Sequence, residues 1–320
     1  MKLSEIRSTG VTLTDLGFGA APIGNLYRPI DDVTAADAVN AAWKGGIRYF
    51  DTAPHYGLGL SERRLGDALR GRPRDQYVVS TKVGRLLRPN PCPTGSDLEA
   101  GGFAVPDDLM RVRDYSRDGV LRSIESSLER LGLGRVDIVY VHDPEEHMDT
   151  AIQQAVPALV ELRDQGVVGA VGAGMNFVEP LRRFVRESDV DVLMVAGRWT
   201  LVDQSAEPLL TDCEHAHVAL VSAAPFNSGL LSRRQPADDA KFDYDAAPAD
   251  VLETARACAR ACELRGTELP AAAIQFPLRR PAVVSVVAGM RTADQVEMNL
   301  AWMHDQIDER LWAELPPPAR

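Results

Sequence analysis

Three observations predict that this chain folds as a (β/α)8 barrel. Eight short apolar segments, rich in β-branched residues, recur along its 320 residues. Most of them are apolar at successive positions, which is typical of parallel strands buried on both faces. A helical pattern fills the gaps between them, as expected when helices surround a closed parallel sheet. The predicted strands are residues 17–21, 47–50, 77–83, 136–141, 167–172, 191–196, 218–223 and 283–288.

The helical segments begin and end at residues that favour helix termini. Thr34 is predicted to cap the first helix, which ends at the glycine pair 45–46. Ser61 is predicted to cap the second helix, and Gly132 to end a third whose apolar residues share one stripe. The remaining predicted helices are residues 155–166, 178–187, 206–216, 250–265 and 292–302.

Length and composition favour one globular domain over residues 1–320, since α/β barrels often reach this size. The net charge of −11 argues against a broad basic surface for nucleic acid. No apolar run is long enough to span a bilayer, and the first residues lack the apolar core of a secretion signal. We therefore expect a cytoplasmic protein with no membrane or nucleic-acid partner.

An open, doubly wound sheet is the alternative fold. It gains little support, because the first strand and turn, GFGAAPIG, do not match the glycine fingerprint of dinucleotide-binding sheets. Two connections, residues 84–116 and 225–249, are much longer than the others, and both follow predicted strands. In a barrel they lie at the C-terminal face, where long loops usually act as lids or specificity elements.

Polar side chains lie at the ends of three neighbouring strands. Asp51 directly follows the second predicted strand, and Tyr56 lies five residues later. Lys82 lies near the end of the third strand, and His142 follows the fourth. Taken singly, each has a structural explanation, such as a turn cap or an ion pair. Because the C-terminal ends of barrel strands converge, we expect the four side chains to meet in one pocket.

These segments resemble the motifs of the aldo-keto reductase family. The stretch YFDTAPHYGLGLSERRLGDAL resembles the family's signature around its catalytic aspartate and tyrosine. VVSTKVG and VDIVYVHDP resemble the strands that carry its lysine and histidine. Within the family, VGAGMN, GRWTLVDQS and PFNSGLL are most similar to the bacterial branch that includes D-threo-aldose (L-fucose) 1-dehydrogenases and a pyridoxal dehydrogenase. The resemblance covers nearly the whole chain.

The resemblance implies an NAD(P)-dependent oxidoreductase that moves a hydride between nicotinamide and a carbonyl or alcohol carbon. The expected substrate is a small aldose of the L-fucose or D-arabinose type, oxidised at C1 to its lactone. The residues suit this chemistry, because the Lys82 ammonium stabilises a phenolate and lowers the pKa of Tyr56, while Asp51 maintains the charge of Lys82. His142 would orient the substrate oxygen, and Tyr56 would act as general acid or base.

The resemblance also implies a cofactor site. Trp199 occupies the position of an aromatic residue that stacks on nicotinamide, and it is expected, with Tyr27 and His55, to shape the substrate pocket. Gln295 stands where relatives often carry an arginine for the 2′-phosphate of NADP, which slightly favours NAD. The implied cofactor-binding residues are Asn176, Trp199, Ser228, Gly229, Leu230, Gly289, Arg291, Thr292, Gln295 and Asn299.

Other functions stay open at this point. A pyridoxal 4-dehydrogenase or a general aldehyde and ketone reductase would use the same four residues. A cofactor-binding regulatory subunit is a candidate of another class, although the complete set of four residues argues against it. A hydrolytic metallo-barrel ranks last, since the H-x-H motif expected at the first strand is missing. The pair His215 and His217 precedes a predicted strand instead of following one, so we expect no metal site. Oligomeric state, true substrate and reaction direction do not follow from the sequence.

Overall fold

Eight parallel strands close into a barrel in the computed structural model, which describes residues 1–7 and 9–318. Each strand pairs with the next one along the chain, and the eighth pairs with the first through Val286 and Leu16. The predicted (β/α)8 barrel is therefore confirmed. Its strands are β1 (Leu16–Gly19), β2 (Tyr49–Asp51), β3 (Val78–Val83), β4 (Val136–His142), β5 (Val168–Met175), β6 (Val192–Ala196), β7 (Ala219–Ala223) and β8 (Val283–Gly289).

Helices cover the outside of the barrel, and the largest apolar cluster lies between them and the strands. The longer helices are α1 (Asp32–Lys44), α2 (Leu60–Leu69), α3 (Arg117–Leu131), α4 (Val156–Asp164), α5 (Val178–Glu187), α6 (Glu207–Ala216), α7 (Ala249–Leu264), α8 (Leu269–Gln275) and α9 (Ala293–His304). Shorter helical turns are Ala21–Gly24, Arg74–Gln76, Leu98–Gly101, Met148–Thr150, Ala151–Ala155, Phe276–Arg279 and Leu311–Glu314. Within the described part of the chain, no helix combines the length and apolarity that a membrane crossing requires.

An N-terminal hairpin closes the end of the barrel opposite the strand C-termini. It consists of Leu3–Ile6 and Val11–Thr14, which the sequence analysis did not predict. Ile6 and Leu13 are fully buried and join the apolar cluster inside the barrel. Because this end is closed by packed side chains, the C-terminal mouth is the end that can receive a ligand.

Two predicted helix caps are wrong. Asp31, not Thr34, caps α1, and its carboxylate accepts a hydrogen bond from the Thr34 amide at 2.7 Å. Ser61 lies inside α2, whose N-cap is Gly59. The buried Ser61 hydroxyl donates to the Ala20 carbonyl at 2.8 Å, so it joins α2 to the barrel mouth instead of capping the helix. A serine near the start of a helix predicts a local capping hydrogen bond, but the sequence pattern does not indicate a tertiary contact such as this one.

Both long connections lie at the C-terminal face and contain hairpins. The first follows β3 and pairs Arg85–Pro89 with Leu109–Arg113. The second follows β7 and contains a small hairpin of Lys241–Phe242 and Asp245–Ala246. The Asp243 carboxylate accepts a hydrogen bond from Arg198 at 2.6 Å, which ties the tip of the second hairpin to the loop after β6.

Close backbone approach within the barrel gives a prediction about stability. A Cβ atom added at Gly172 of β5 would lie 1.7 Å from the Val192 carbonyl oxygen of β6. We expect Gly172→Ala to lower the free energy of unfolding by about 2 kcal/mol or more, because a packed sheet cannot absorb the added atom. Urea unfolding measures this change. Gly134→Ala is the control, since a Cβ there meets nothing within 4 Å, and equal stabilities of the two variants would contradict the prediction.

Candidate active site

A buried ion pair joins the ends of β2 and β3 at the mouth of the barrel. Lys82 Nζ lies 2.9 Å and 2.7 Å from the two Asp51 carboxylate oxygens, and 3.0 Å from the Thr52 carbonyl oxygen. The two side chains are 2% and 4% exposed. Burial alone would lower the pKa of Lys82, but Asp51 and then Tyr56 outweigh burial and raise it above its usual value. The lysine therefore keeps its charge.

A chain of hydroxyl groups extends from this pair into the barrel interior. Ser80 Oγ lies 2.7 Å from the Asp51 carboxylate and 3.1 Å from the Tyr49 hydroxyl oxygen, which lies 3.3 Å from that of Tyr140. The single Ser80 proton goes to the carboxylate, the stronger acceptor, so Tyr49 donates to Ser80 and Tyr140 donates to Tyr49. The hydroxyl chain thus stabilises the Asp51 charge from below.

Tyr56 lies above this pair on a tight turn between β2 and α2. Gly57, Leu58 and Gly59 all have left-handed backbone angles, and a Cβ at Gly57 would lie 2.2 Å from the Gly24 carbonyl oxygen. Glycine is therefore required at residue 57. The turn places the Tyr56 ring centroid 4.7 Å from Lys82 Nζ.

The protonation of Tyr56 differs from the sequence-based expectation. Burial raises the pKa of Tyr56 to about 12, and although Lys82 opposes this shift, it does not reverse it. The expectation that the Lys82 ammonium gives Tyr56 a pKa below its usual value is wrong for the free protein, since the loss of solvation has the larger effect on that pKa. The phenol is protonated at neutral pH.

His142 ends β4 and completes the group of four. Its ring centroid lies 5.9 Å from that of Tyr56, and the two rings are perpendicular. Burial, followed by the nearby cations Arg85 and Lys82, lowers the pKa of His142 well below its usual value. Burial and the cations Arg85 and Arg111 likewise lower the pKa of His55 to about 2. Both imidazoles are therefore neutral at pH 7, when each ring has one donor and one acceptor nitrogen.

The structure brings Asp51, Tyr56, Lys82 and His142 together at the base of one cavity of about 800 Å³. This volume is typical of sites for cofactors and small molecules. Two predicted substrate-pocket residues, Tyr27 and His55, line the cavity. The predicted cofactor-binding residues that line it are Asn176, Ser228, Gly229, Gly289, Arg291 and Gln295.

Four predicted site residues do not line this cavity. Trp199 is buried, and its ring packs 5.3 Å from that of Phe276. Leu230 is buried in a separate apolar cluster around α7. The Thr292 hydroxyl caps α9 by accepting from the Gln295 amide at 3.3 Å, and Asn299 is buried further along that helix. Their expected contacts with a cofactor are therefore not supported by their positions.

Phe103, Tyr244 and Asp143 are among the cavity-lining residues that sequence reasoning missed. Phe103 packs 6.1 Å from the Tyr56 ring and comes from the first long connection. Tyr244 lies at the tip of the second hairpin, where its amide donates to Ser228 Oγ at 3.0 Å. Asp143 follows His142 directly and faces the same space. Its place just past a strand end was the signal that could have identified it.

Comparison with known proteins places the chain in a family. The Aldo/keto reductase family matches residues 15–316. The D-threo-aldose 1-dehydrogenase of a Pseudomonas species is 47% identical over 312 residues, which cover 96% of this chain and 94% of that protein. The chain belongs to the aldo/keto reductase family. It is therefore an oxidoreductase, as the sequence analysis predicted.

A second relative and a solved structure are also similar to this chain. The pyridoxal 4-dehydrogenase of Microbacterium luteolum is 38% identical over 336 residues, which cover 98% of this chain and 97% of that protein. A solved aldo-keto reductase from Bacillus halodurans, in its holo form, superposes with a TM-score of 0.79 at 21% identity. That superposition covers all of this chain and 98% of the other, and it supports the fold.

The buried histidines of this aldo-keto reductase give a prediction about protonation. Because the pKa of His142 is well below 6.5 and that of His55 is about 2, neither ring should bind a proton between about pH 5 and pH 8. Their ring-proton NMR signals should therefore stay constant over this range. His142→Ala and His55→Phe variants identify the two signals by their loss. A titration midpoint near pH 6.5 for either residue would contradict the buried, neutral state.

Proposed function

We propose that this enzyme oxidises a small aldose at C1 to its lactone, with a nicotinamide dinucleotide as hydride acceptor. The observation that carries the proposal is the full-length similarity, at 47% identity, to a D-threo-aldose 1-dehydrogenase. The geometry supports it, since a buried ammonium, a phenol and a neutral imidazole face one cavity.

In the proposed mechanism, Tyr56 exchanges a proton with the substrate oxygen. Because the phenol is protonated in the free protein at neutral pH, oxidation uses the ionised fraction of Tyr56, which grows as the pH rises. The phenolate takes the substrate hydroxyl proton while the hydride leaves C1, and reduction reverses both transfers. Lys82 stabilises the phenolate as it forms, and Asp51 keeps Lys82 charged. The neutral His142 donates a hydrogen bond that orients the reacting oxygen. The bound nicotinamide supplies the hydride acceptor or donor.

The cavity wall fits a dinucleotide. Three buried polar atoms of its lining residues, His55 Nδ1, Asn227 Oδ1 and Arg291 Nε, have no partner among the residues the structure describes, and the last two belong to the proposed cofactor side. Burial lowers the pKa of Arg291, and repulsion from the nearby charge of Arg28 lowers it further. A cationic group of this kind suits a phosphate. In the proposed site, Ser228, Gly229 and Gly289 form the cofactor wall, with Asn176 near the nicotinamide end.

The choice between NAD and NADP depends on the part of the site around Arg291 and Gln295. Gln295 is neutral, and its side-chain oxygen accepts from the Arg291 amide at 2.8 Å, so it is occupied by the protein itself. This favours NAD. Arg291 provides the alternative, because its guanidinium, which donates to the Leu26 carbonyl at 2.6 Å, could also bind a 2′-phosphate.

A substrate panel tests the proposed function. Purified enzyme is incubated with NAD or NADP and with L-fucose, D-arabinose, L-galactose or pyridoxal, and the absorbance of the reduced cofactor is followed. We expect turnover of at least one aldose, with a lower KM for NAD than for NADP. Absence of turnover with every sugar would remove the aldose dehydrogenase proposal.

Pyridoxal oxidation is the second candidate function, and one comparison favours it. The pyridoxal 4-dehydrogenase of Microbacterium luteolum matches nearly the full chain at 38% identity. The aromatic rings of Phe103, Tyr56 and His55 along the cavity also suit a flat heterocycle. Turnover of pyridoxal alone in the same panel would favour this function over the first.

The proposed role of Tyr56 gives a prediction about turnover. Tyr56→Phe keeps the ring and removes the exchangeable proton, so kcat should fall by about 100-fold or more while the cofactor still binds. Steady-state kinetics measures the first quantity, and quenching of protein fluorescence by the cofactor measures the second. Tyr77→Phe is the matched control, since the Tyr77 ring packs against Trp43 and Phe50 and does not line the cavity. A Tyr56→Phe enzyme with near-normal kcat would overturn the acid–base role.

A further inference from the structure

A second ion pair, Arg85 with Asp143, lies beside His142 at the cavity wall. Arg85 Nη2 donates to Asp143 Oδ2 over 2.5 Å, and the same oxygen is 3.5 Å from His142 Nε2. The other oxygen, Oδ1, accepts no hydrogen bond from any residue that the structure describes. The Asp143 side chain is 25% exposed, and the residue lines the cavity. One carboxylate oxygen is thus available to a ligand.

The backbone around Asp143 is held in an unusual conformation. Asp143 has a φ of 43°, although it precedes Pro144, and residues before proline favour extended angles. Tertiary contacts maintain this conformation. The Tyr115 hydroxyl lies 2.7 Å from the His142 carbonyl oxygen and 2.8 Å from that of Asp143, and the Asp143 amide donates to Gly174 at 3.1 Å. Strain that surrounding contacts maintain in this way is a frequent feature of functional positions.

We propose that Asp143 is a specificity-determining residue that accepts a hydrogen bond from the substrate hydroxyl on the carbon next to the reacting carbon. This inference rests on the proposed oxidation of an aldose at C1. His142 would hold the reacting oxygen, and the adjacent carboxylate would then face the neighbouring carbon. An ionised carboxylate is an acceptor only, so it selects a hydroxyl donor.

Arg85 favours the ionised form of this carboxylate, and the ion pair fixes its direction. Burial raises the pKa of Asp143; the charge of Arg85 opposes this shift, that of Glu145 adds to it, and that of Lys82 opposes it. A substrate without the neighbouring hydroxyl would leave Oδ1 of this partly buried carboxylate desolvated and without a partner. Enzymes that bind a substrate hydroxyl discriminate strongly against analogues lacking it for this reason.

Two sugars that differ by one hydroxyl test the inference. D-Arabinose and 2-deoxy-D-ribose share every other centre, and only D-arabinose has a hydroxyl at C2. We expect the wild-type enzyme to prefer D-arabinose in kcat/KM by roughly tenfold or more. In Asp143→Ala this preference should fall to about threefold or less, mainly through lost activity on D-arabinose. Asp143→Asn, which keeps an acceptor oxygen without the charge, should have an intermediate ratio.

Glu146→Ala is the matched control, since Glu146 is an exposed carboxylate of the same loop that pairs with Arg113. It should keep the wild-type ratio. The inference is overturned if Asp143→Ala keeps that ratio, whether or not its activity on both sugars falls. It is also overturned if the wild-type enzyme oxidises both sugars equally well. A wild-type enzyme that oxidises other aldoses but neither sugar of this pair is tested with L-fucose and its 2-deoxy form. Oxidation of no aldose would instead remove the proposed function itself, and the inference with it.

Discussion

The Lys82 ammonium and the Asp51 carboxylate are both almost inaccessible to water, so each charge depends on the other. Removal of either partner would leave an uncompensated buried charge, which is far more costly than the net contribution of the pair. The surrounding polar groups follow from this constraint. The Thr52 carbonyl accepts a further hydrogen bond from the ammonium, and the hydroxyl chain that begins at Ser80 stabilises the carboxylate. Tyr56 lies over the ammonium, and through it the buried pair can influence a bound ligand.

The barrel explains why this cluster could be predicted from sequence. Asp51 and His142 are the last residues of β2 and β4, and Lys82 is the next to last of β3. An apolar segment indicates approximately where its strand ends, and closure of the barrel brings such ends together. The fold and the four predicted catalytic residues thus depend on local patterns and one rule of topology. The N-terminal hairpin escaped prediction because its strands have only four residues each, too few for a clear periodicity.

Residues beyond the strand ends were harder to place, because their direction depends on the path of the loop. Gly197 has a φ of 70°, and two residues later the Trp199 ring packs against Phe276 rather than facing the cavity. The net shift in the pKa of Tyr56 was also beyond prediction. The sign of the effect of Lys82 is clear from its charge, but the larger effect of burial depends on atoms contributed by several distant segments, including Phe103.

The two ion pairs at the cavity, Asp51 with Lys82 and Asp143 with Arg85, differ in whether both carboxylate oxygens have partners within the protein, and this difference matches their different proposed roles. Both carboxylate oxygens of Asp51 are hydrogen-bonded within the protein, so neither oxygen of this closed pair needs a ligand as a partner. Asp143 lines the cavity, shares one oxygen with Arg85 and has no partner for the other among the described residues. A closed pair suits the tuning of a proton donor, because its charges stay constant whichever substrate binds. An open pair suits recognition, because its free oxygen is satisfied only by a ligand with a hydroxyl at the right place.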